Sequence, residues 1–187
     1  MEIVRIEDKK KIKSDQETVL VLGYFDGIHL GHKALFDRAR AIADKKGLTV
    51  SVLTFPETPK LAFVRFHSDL LLQLTCPEKR FSLMEKYGVD YLYMTDFTSS
   101  FAKQTPQEFL TNYVKTLNAS VLVTGFDYHF GNSRADVTVL ETLFDGQVEV
   151  IDEVQMEGEK ISSSRIREAI QKGQVAEANR LLGYEFT

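Results

Sequence analysis

Thr18-Val-Leu-Val-Leu22, then Gly23-Tyr-Phe-Asp-Gly-Ile-His29-Leu-Gly-His32, then Lys33-Ala-Leu-Phe-Asp-Arg-Ala-Arg-Ala-Ile-Ala43, decide the fold class. The first run is apolar and reads as a buried strand; the third reads as a helix. Between them stand two histidines and three glycines. An open α/β sheet binds its ligand at such strand-to-helix turns, where free helix N–H groups attract phosphate. Gly27 and Gly31 allow positive φ or close backbone approach. His29 and His32, three apart across the helix start, can face one side and donate to phosphate oxygens. Two other readings remain open here. The histidines could be a surface pair beside a turn, or a metal pair for which the sequence offers no clear third ligand.

The rest of the chain alternates in the same way. Strand-like runs cover Glu2 to Ile6, Thr18 to Gly23, Leu48 to Phe55, Asp90 to Met94, Ser120 to Gly125 and Val148 to Ile151. Most are continuously apolar, as in a sheet covered on both faces. Helix-like runs cover Lys33 to Lys46, Pro77 to Tyr87, Pro106 to Leu117, Asp136 to Phe144, Ser163 to Gln171 and Gln174 to Leu182. Thr105-Pro-Gln-Glu108 is a capping box with proline at the first helical position. Gly47 and Gly88 read as helix ends. Strand-helix alternation implies parallel strands. Pro56 to Thr75 is the least regular stretch and reads as a loop or short helix over the strand ends.

With 187 residues the chain can bury one substantial core, and no linker or repeat divides it, so a single domain over 1–187 is expected. A net charge of -4 argues against a large nucleic-acid footprint. No run approaches the ~20 apolar residues of a membrane span, and the first residues lack a signal-peptide core. The single cysteine, Cys76, cannot form an internal disulfide. A cytoplasmic protein is expected, without nucleic-acid or membrane partners.

Two further segments carry chemistry. Lys160-Ile-Ser-Ser-Ser-Arg-Ile-Arg-Glu168 opens a helix with three serines, and Arg165 and Arg167 lie in or near its first turn. Serine there can be an ordinary N-cap. Arginine in a first turn opposes the helix dipole, a conflict that a bound anion would remove. Gly125-Phe-Asp-Tyr-His-Phe-Gly-Asn-Ser-Arg134 leaves another strand end, glycine-punctuated, aromatic and polar; it suits a planar ligand or is a plain loop. Thr54-Phe-Pro-Glu-Thr-Pro59 leaves a third strand end and brings Phe55 to the same rim, or into the core.

In this order the segments resemble the FAD synthetase (FMN adenylyltransferase) module of bacterial bifunctional riboflavin kinase/FAD synthetases. The matching pieces are Gly-x-Phe-Asp-Gly-x-His-x-Gly-His, Thr-Phe-x-x-x-Pro, Gly-Phe-Asp-Tyr-x-Phe-Gly-x-x-Arg and Ile-Ser-Ser-Ser-x-Ile-Arg. Tyr24 departs from the pattern, standing where the family often has asparagine. The resemblance implies an α/β, Rossmann-like nucleotidyltransferase fold, with a mostly parallel sheet covered by helices on both faces. It also implies transfer of AMP from ATP to FMN, giving FAD and pyrophosphate, with Mg²⁺ held by the ATP phosphates and no protein metal ligand. The bifunctional relatives continue into a kinase module of on the order of 100 residues. Kinase activity is therefore not expected from this chain, and a covalent or separate riboflavin kinase partner is.

The resemblance assigns roles by residue. His29, His32 and Arg167 are the expected catalytic residues. Gly23, Phe25, Asp26, Gly27, Gly31, Gly125, Asp127, Ser162, Ser163, Ser164 and Arg165 are expected at ATP. Phe55, Pro56, Pro59, Phe130 and Arg134 are expected at FMN. The alternatives are a nucleotidyltransferase with another phosphorylated acceptor, or a non-catalytic flavin- or nucleotide-binding regulator.

Overall fold

A computed structural model describes residues 1–8, 13–62, 64–65 and 72–186. Six strands form one parallel sheet: β1 (Glu2–Ile6), β2 (Thr18–Leu22), β3 (Thr49–Thr54), β4 (Tyr91–Thr95), β5 (Ala119–Gly125) and β6 (Gln147–Ile151), in the order β1-β4-β3-β2-β5-β6. Each lies within a residue of its predicted bounds at either end. The order reverses direction at β2, which pairs with β3 on one side and β5 on the other. That reversal opens a crevice at the strand carboxyl ends, the usual ligand position of such sheets.

Alternate strand residues feed two cores, as a period of two requires. Val19, Val21, Val50, Val52, Val121 and Val123 pack with Phe36, Ala39 and Ile42 of helix α1 (Leu30–Lys46) and with Leu83 and Met84 of α2 (Pro77–Lys86). Leu20, Leu22, Leu53 and Leu122 turn the other way. They meet Phe109 of α4 (Pro106–Phe109), the Leu110–Val114 segment and Leu140 of α5 (Val137–Leu143). A third cluster joins α6 (Ser163–Gln171) to α7 (Val175–Leu182) through Ile166, Ala169, Ala178, Leu181 and Leu182. The expected α/β architecture, with helices over both faces, is present.

Four local features differ from the sequence reading. Helix α1 starts at Leu30 rather than Lys33, because His29 caps it: Nδ1 accepts the His32 N–H at 3.3 Å. The run expected as one helix over Pro106 to Leu117 keeps its capping box, then widens into a π-turn at Leu110–Val114, where Lys115 N–H reaches Leu110 O at 2.8 Å. A short helix, α3 (Ser99–Ala102), precedes it with Thr98 as cap. A small hairpin, β7 (Gln155–Met156) and β8 (Glu159–Lys160), turns through Glu157 and Gly158, both at positive φ. X-Gly at its centre is the usual chemistry of a two-residue hairpin turn. In the irregular stretch, Pro59–Ala62 forms a 3-10 turn, while 63 and 66–71 lie outside the described residues.

Candidate active site

The carboxyl ends of β2, β3 and β5, the heads of α1 and α6, and β8 enclose a cleft of about 1170 Å³. Sequence-predicted residues that line it are Gly23, Phe25, Asp26, His29, Gly31, His32, Phe55, Pro59, Gly125, Asp127, Phe130, Arg134, Ser162, Ser163, Ser164 and Arg167. Gly27, Pro56 and Arg165 do not line it. Gly27 sits at φ 84° against Leu74 and Leu182, and Pro56 O accepts from Gln73. Arg165 is occupied elsewhere: it donates to Met156 O and Glu159 O, both at 3.1 Å, and to Glu177 Oε1 at 2.9 Å, tying the hairpin to α7.

The two histidine rings stack, with centroids 3.7 Å apart and planes 16° from parallel. His29 is 5% exposed and His32 is half-buried. Burial and the Lys160 charge push His29 down to about 4, against the opposing pull of Asp127. Burial, His29 and Arg80 hold His32 well below the ordinary histidine range. Both rings are therefore neutral at pH 7. With Nδ1 of His29 accepting the cap bond, its proton sits on Nε2. Nδ1 of His32 is buried without a partner among the described residues. The glycines around them are steric requirements. A Cβ on Gly31 would lie 3.0 Å from His29 Cε1, and one on Gly23 would strike the Phe25 ring at 2.6 Å. That ring meets His32 edge-on at 5.2 Å.

The serine segment abuts the histidines. Ser162 caps α6 by accepting the Arg165 N–H, and Ser163 Oγ donates to Asp26 O at 2.9 Å. Arg167 pairs with Asp26 Oδ2 through Nη2, while Asp26 Oδ1 accepts from Leu74 N–H at 2.8 Å. Asp26 is thus a buried strut between the histidine loop, residue 74 and α6. Burial raises its carboxyl above the ordinary value, against the Leu74 bond and the Arg167 and Arg80 charges.

The opposite wall is aromatic. Phe55 packs edge-on against Phe97 and Phe101, with centroids at 5.0 and 5.2 Å. Phe101 meets Phe109, which meets Phe130 at 5.7 Å, and Tyr128 stacks on Phe130. Phe55 and Phe130, 75 residues apart by number, thereby belong to one surface. Arg134 stands at φ 50° in the loop that the Phe130–Ala135 bridge closes.

Sequence reasoning missed three contributors. Lys160 lines the cleft, pairs with Asp127 Oδ2 at 2.6 Å and lies 4.6 Å from the Phe126 ring centre. Its place directly before Ile161-Ser-Ser-Ser164 was the available signal. Phe97, Phe101 and Phe109 complete the aromatic wall; no glycine or charge pattern around them marks their position. Arg80 lies behind Tyr24, and nothing in a helical Pro-Glu-Lys-Arg run distinguishes it from surface charge. Among the described residues, no group of three or more His, Cys, Asp or Glu side chains could hold a metal ion.

Known proteins share this arrangement. A family model described as FAD synthetase matches residues 11–165. The bifunctional riboflavin kinase/FMN adenylyltransferase of Listeria monocytogenes is 40% identical over 177 residues, which is 93% of this chain and 56% of the relative. The FAD synthetase of the same organism is 33% identical over 178 residues, covering 92% and 71%. The chain thus spans little more than half the length of the bifunctional relatives. A crystal structure from Streptococcus pneumoniae, described as a macrolide-efflux protein, is 44% identical with a TM-score of 0.95, covering 100% of this chain and 61% of that one. Among the described residues no helix is long and apolar enough to cross a membrane. Pantothenate synthetase from Thermus thermophilus, at 18% identity and a TM-score of 0.57 over 98% of this chain and 81% of its own, shares the fold. The segments that the sequence placed in family order meet at one cleft, the family model covers them as far as Arg165, and the chain belongs to the FAD synthetase family.

Proposed function

We propose that the chain transfers AMP from ATP to FMN, releasing pyrophosphate and forming FAD. One observation carries this reading: a stacked histidine pair at one helix start and a serine-arginine helix start line one side of a cleft whose other side is a continuous aromatic wall. The head of the histidine helix lies against the strand end that leads into the serine helix, since a Cβ on Gly31 would lie 3.6 Å from Ile161 O. Such a pair suits a polyphosphate cleaved between them, and the wall suits a flat ring system.

In this reading an FMN phosphate oxygen attacks the α-phosphorus of ATP. The new P–O bond forms as the bond to the oxygen bridging to the β-phosphate breaks, and pyrophosphate leaves in line. A phosphate monoester is already anionic at neutral pH, so no general base is needed. Catalysis then rests on positioning and on donors aimed at developing charge. Neutral His29 and His32 donate N–H groups to the non-bridging oxygens of the transferred phosphate. Ser164, the free N–H groups of α6 and Arg167 hold the β- and γ-phosphates. Arg167 keeps Nη2 on Asp26, which leaves Nη1 and Nε for phosphate. Lys160 and Asp127 border the nucleotide, and Lys160 adds positive charge beside His29. Phe55, Pro59, Phe130 and Arg134 receive FMN. Mg²⁺ enters with the ATP phosphates, its usual manner of binding.

Incubation with ATP, Mg²⁺ and FMN, followed by chromatography, tests the reading. FAD and pyrophosphate in equal amounts are expected. Adenylylation of another phosphorylated acceptor in preference to FMN would replace the acceptor, and binding without turnover would make the chain a regulator.

A further inference from the structure

Arg80 is 2% exposed, on the first turn of α2, and directed at the carboxyl ends of β2 and β3. Its Nη1 donates to Phe55 O at 3.0 Å. Its Nη2 donates to Thr54 Oγ1 at 2.6 Å and to Tyr24 O. Thr54 Oγ1 donates to that same Tyr24 carbonyl at 2.9 Å. The Tyr24 ring lies 5.1 Å from the guanidinium carbon. Among the described residues no carboxylate lies within ion-pair distance, and Nε is buried without a partner.

A buried arginine with no direct ion-pair partner, only the longer-range charge of Asp26, is a poor way to stabilise a fold. Packing α2 on the sheet needs only apolar groups, which Leu83 and Met84 supply. What the guanidinium adds is a fixed fork of donors between two site loops. The first follows Tyr24 into Phe25 (φ 59°) and Ile28 (φ 40°), a backbone that non-glycine residues hold only when their surroundings impose it. It carries Phe25 onto His32 and ends at the stacked histidines. The second begins at Phe55, whose ring joins the aromatic wall. Other bonds anchor the histidine loop further along: Ser163 Oγ to Asp26 O, Leu74 N–H and Arg167 to the Asp26 carboxylate, and the Tyr184 hydroxyl to Gly27 O. Arg80 anchors where the two loops diverge.

We propose that Arg80 is a positioning residue for adenylyl transfer: it sets the histidine loop and the acceptor wall at a fixed separation, so that attacking phosphate and α-phosphorus meet in line. The proposal rests on the reading given under Proposed function.

The test compares the purified chain with Arg80→Met, Arg80→Lys and a control, Arg40→Met. Arg40 also makes several bonds, to Gly88 O, Leu48 O, Asp44 and Asp90, but at the opposite end of the strands. Thermal unfolding, steady-state FAD formation from ATP, Mg²⁺ and FMN, and the histidine ring NMR resonances are measured. Misplacement by ~1 Å costs about 10²-fold, so Arg80→Met should lose about that in kcat, with KM for ATP and FMN changed less than about threefold. Arg80→Lys keeps the charge without the fork and should recover less than about a tenth of wild-type kcat. In both variants the His29 and His32 resonances should move while His129 stays. Arg40→Met should lower the unfolding temperature and leave kcat within about twofold. Folded Arg80→Met with near wild-type kcat overturns the proposal, as does an equal kcat loss in Arg40→Met. If Arg80→Met does not fold, Arg80→Lys decides by the same criteria. If the wild-type chain forms no FAD, the adenylyl-transfer reading fails. The positioning claim is then judged by NMR alone, and unmoved His29 and His32 resonances in the folded variant overturn it.

Discussion

His29 is a neutral imidazole because burial in the fold disfavours its charged form. Unfolded it titrates at 6.5; folded, at about 4. Between those values the unfolded chain holds a proton that the folded chain does not. Stability is therefore complete above about pH 6.5 and falls as the pH drops toward 4. NMR titration of the ring should place its midpoint near 4 and leave turnover free of a histidine ionisation between about pH 6 and 8. Lys160→Met should move that midpoint upward, since it removes a cation that opposes protonation. A downward or absent shift would detach Lys160 from the histidine. His32→Ala, which deletes one donor and keeps the fold, should cost about 10²–10³ in turnover. Near-normal FAD formation by that variant would exclude His32 from the reaction. The histidines and serines were readable as residues because their types and spacing carry the chemistry. Arg80 and Lys160 were not, because lysine and arginine on helices and hairpins are usually solvated.

At the next scale, the proposed phosphate sites are two helix starts, and both are built by their own caps. His29 caps α1 with its Nδ1, and Gly31 leaves room for that ring. Gly31→Ala should push the His29 ring by a few tenths of an ångström. Its effect should fall on kcat rather than on stability, as kinetics beside thermal unfolding would reveal. Ser162→Ala removes the α6 cap and should cost about 1 kcal/mol in denaturant unfolding. The apolar runs located α1 only from Lys33, because a cap made by histidine has no standing in helix-start rules. The π-turn after α4 was equally illegible, since no turn or breaker residue marks it within a segment whose Tyr113 and Leu117 are core residues.

Across the whole molecule, the strand order brings the three site loops together. The reversal at β2 lets the loops after β2 and β5 face each other, and β3 brings Phe55 alongside. The head of α6, packed on α7, borders the cleft. Leu182 is fully buried, and it approaches Gly27 as well as α6. Leu182→Ala should cost about 2–5 kcal/mol by chemical denaturation and loosen the histidine loop, raising KM as well as lowering stability. Unchanged KM would separate that cluster from the site. The sequence by itself determined the six sheet strands, the main helices, the parallel class and the histidine and serine-arginine segments, because periodicity, turn chemistry and caps act over a few neighbours. Only the tertiary structure decided which strand ends meet. It alone joined Phe55 to Phe130 through Phe101 and Phe109, turned Arg165 away from the cleft, and buried Arg80 between two loops. Those outcomes depend on contacts between residues tens of positions apart, whose partners no local pattern names.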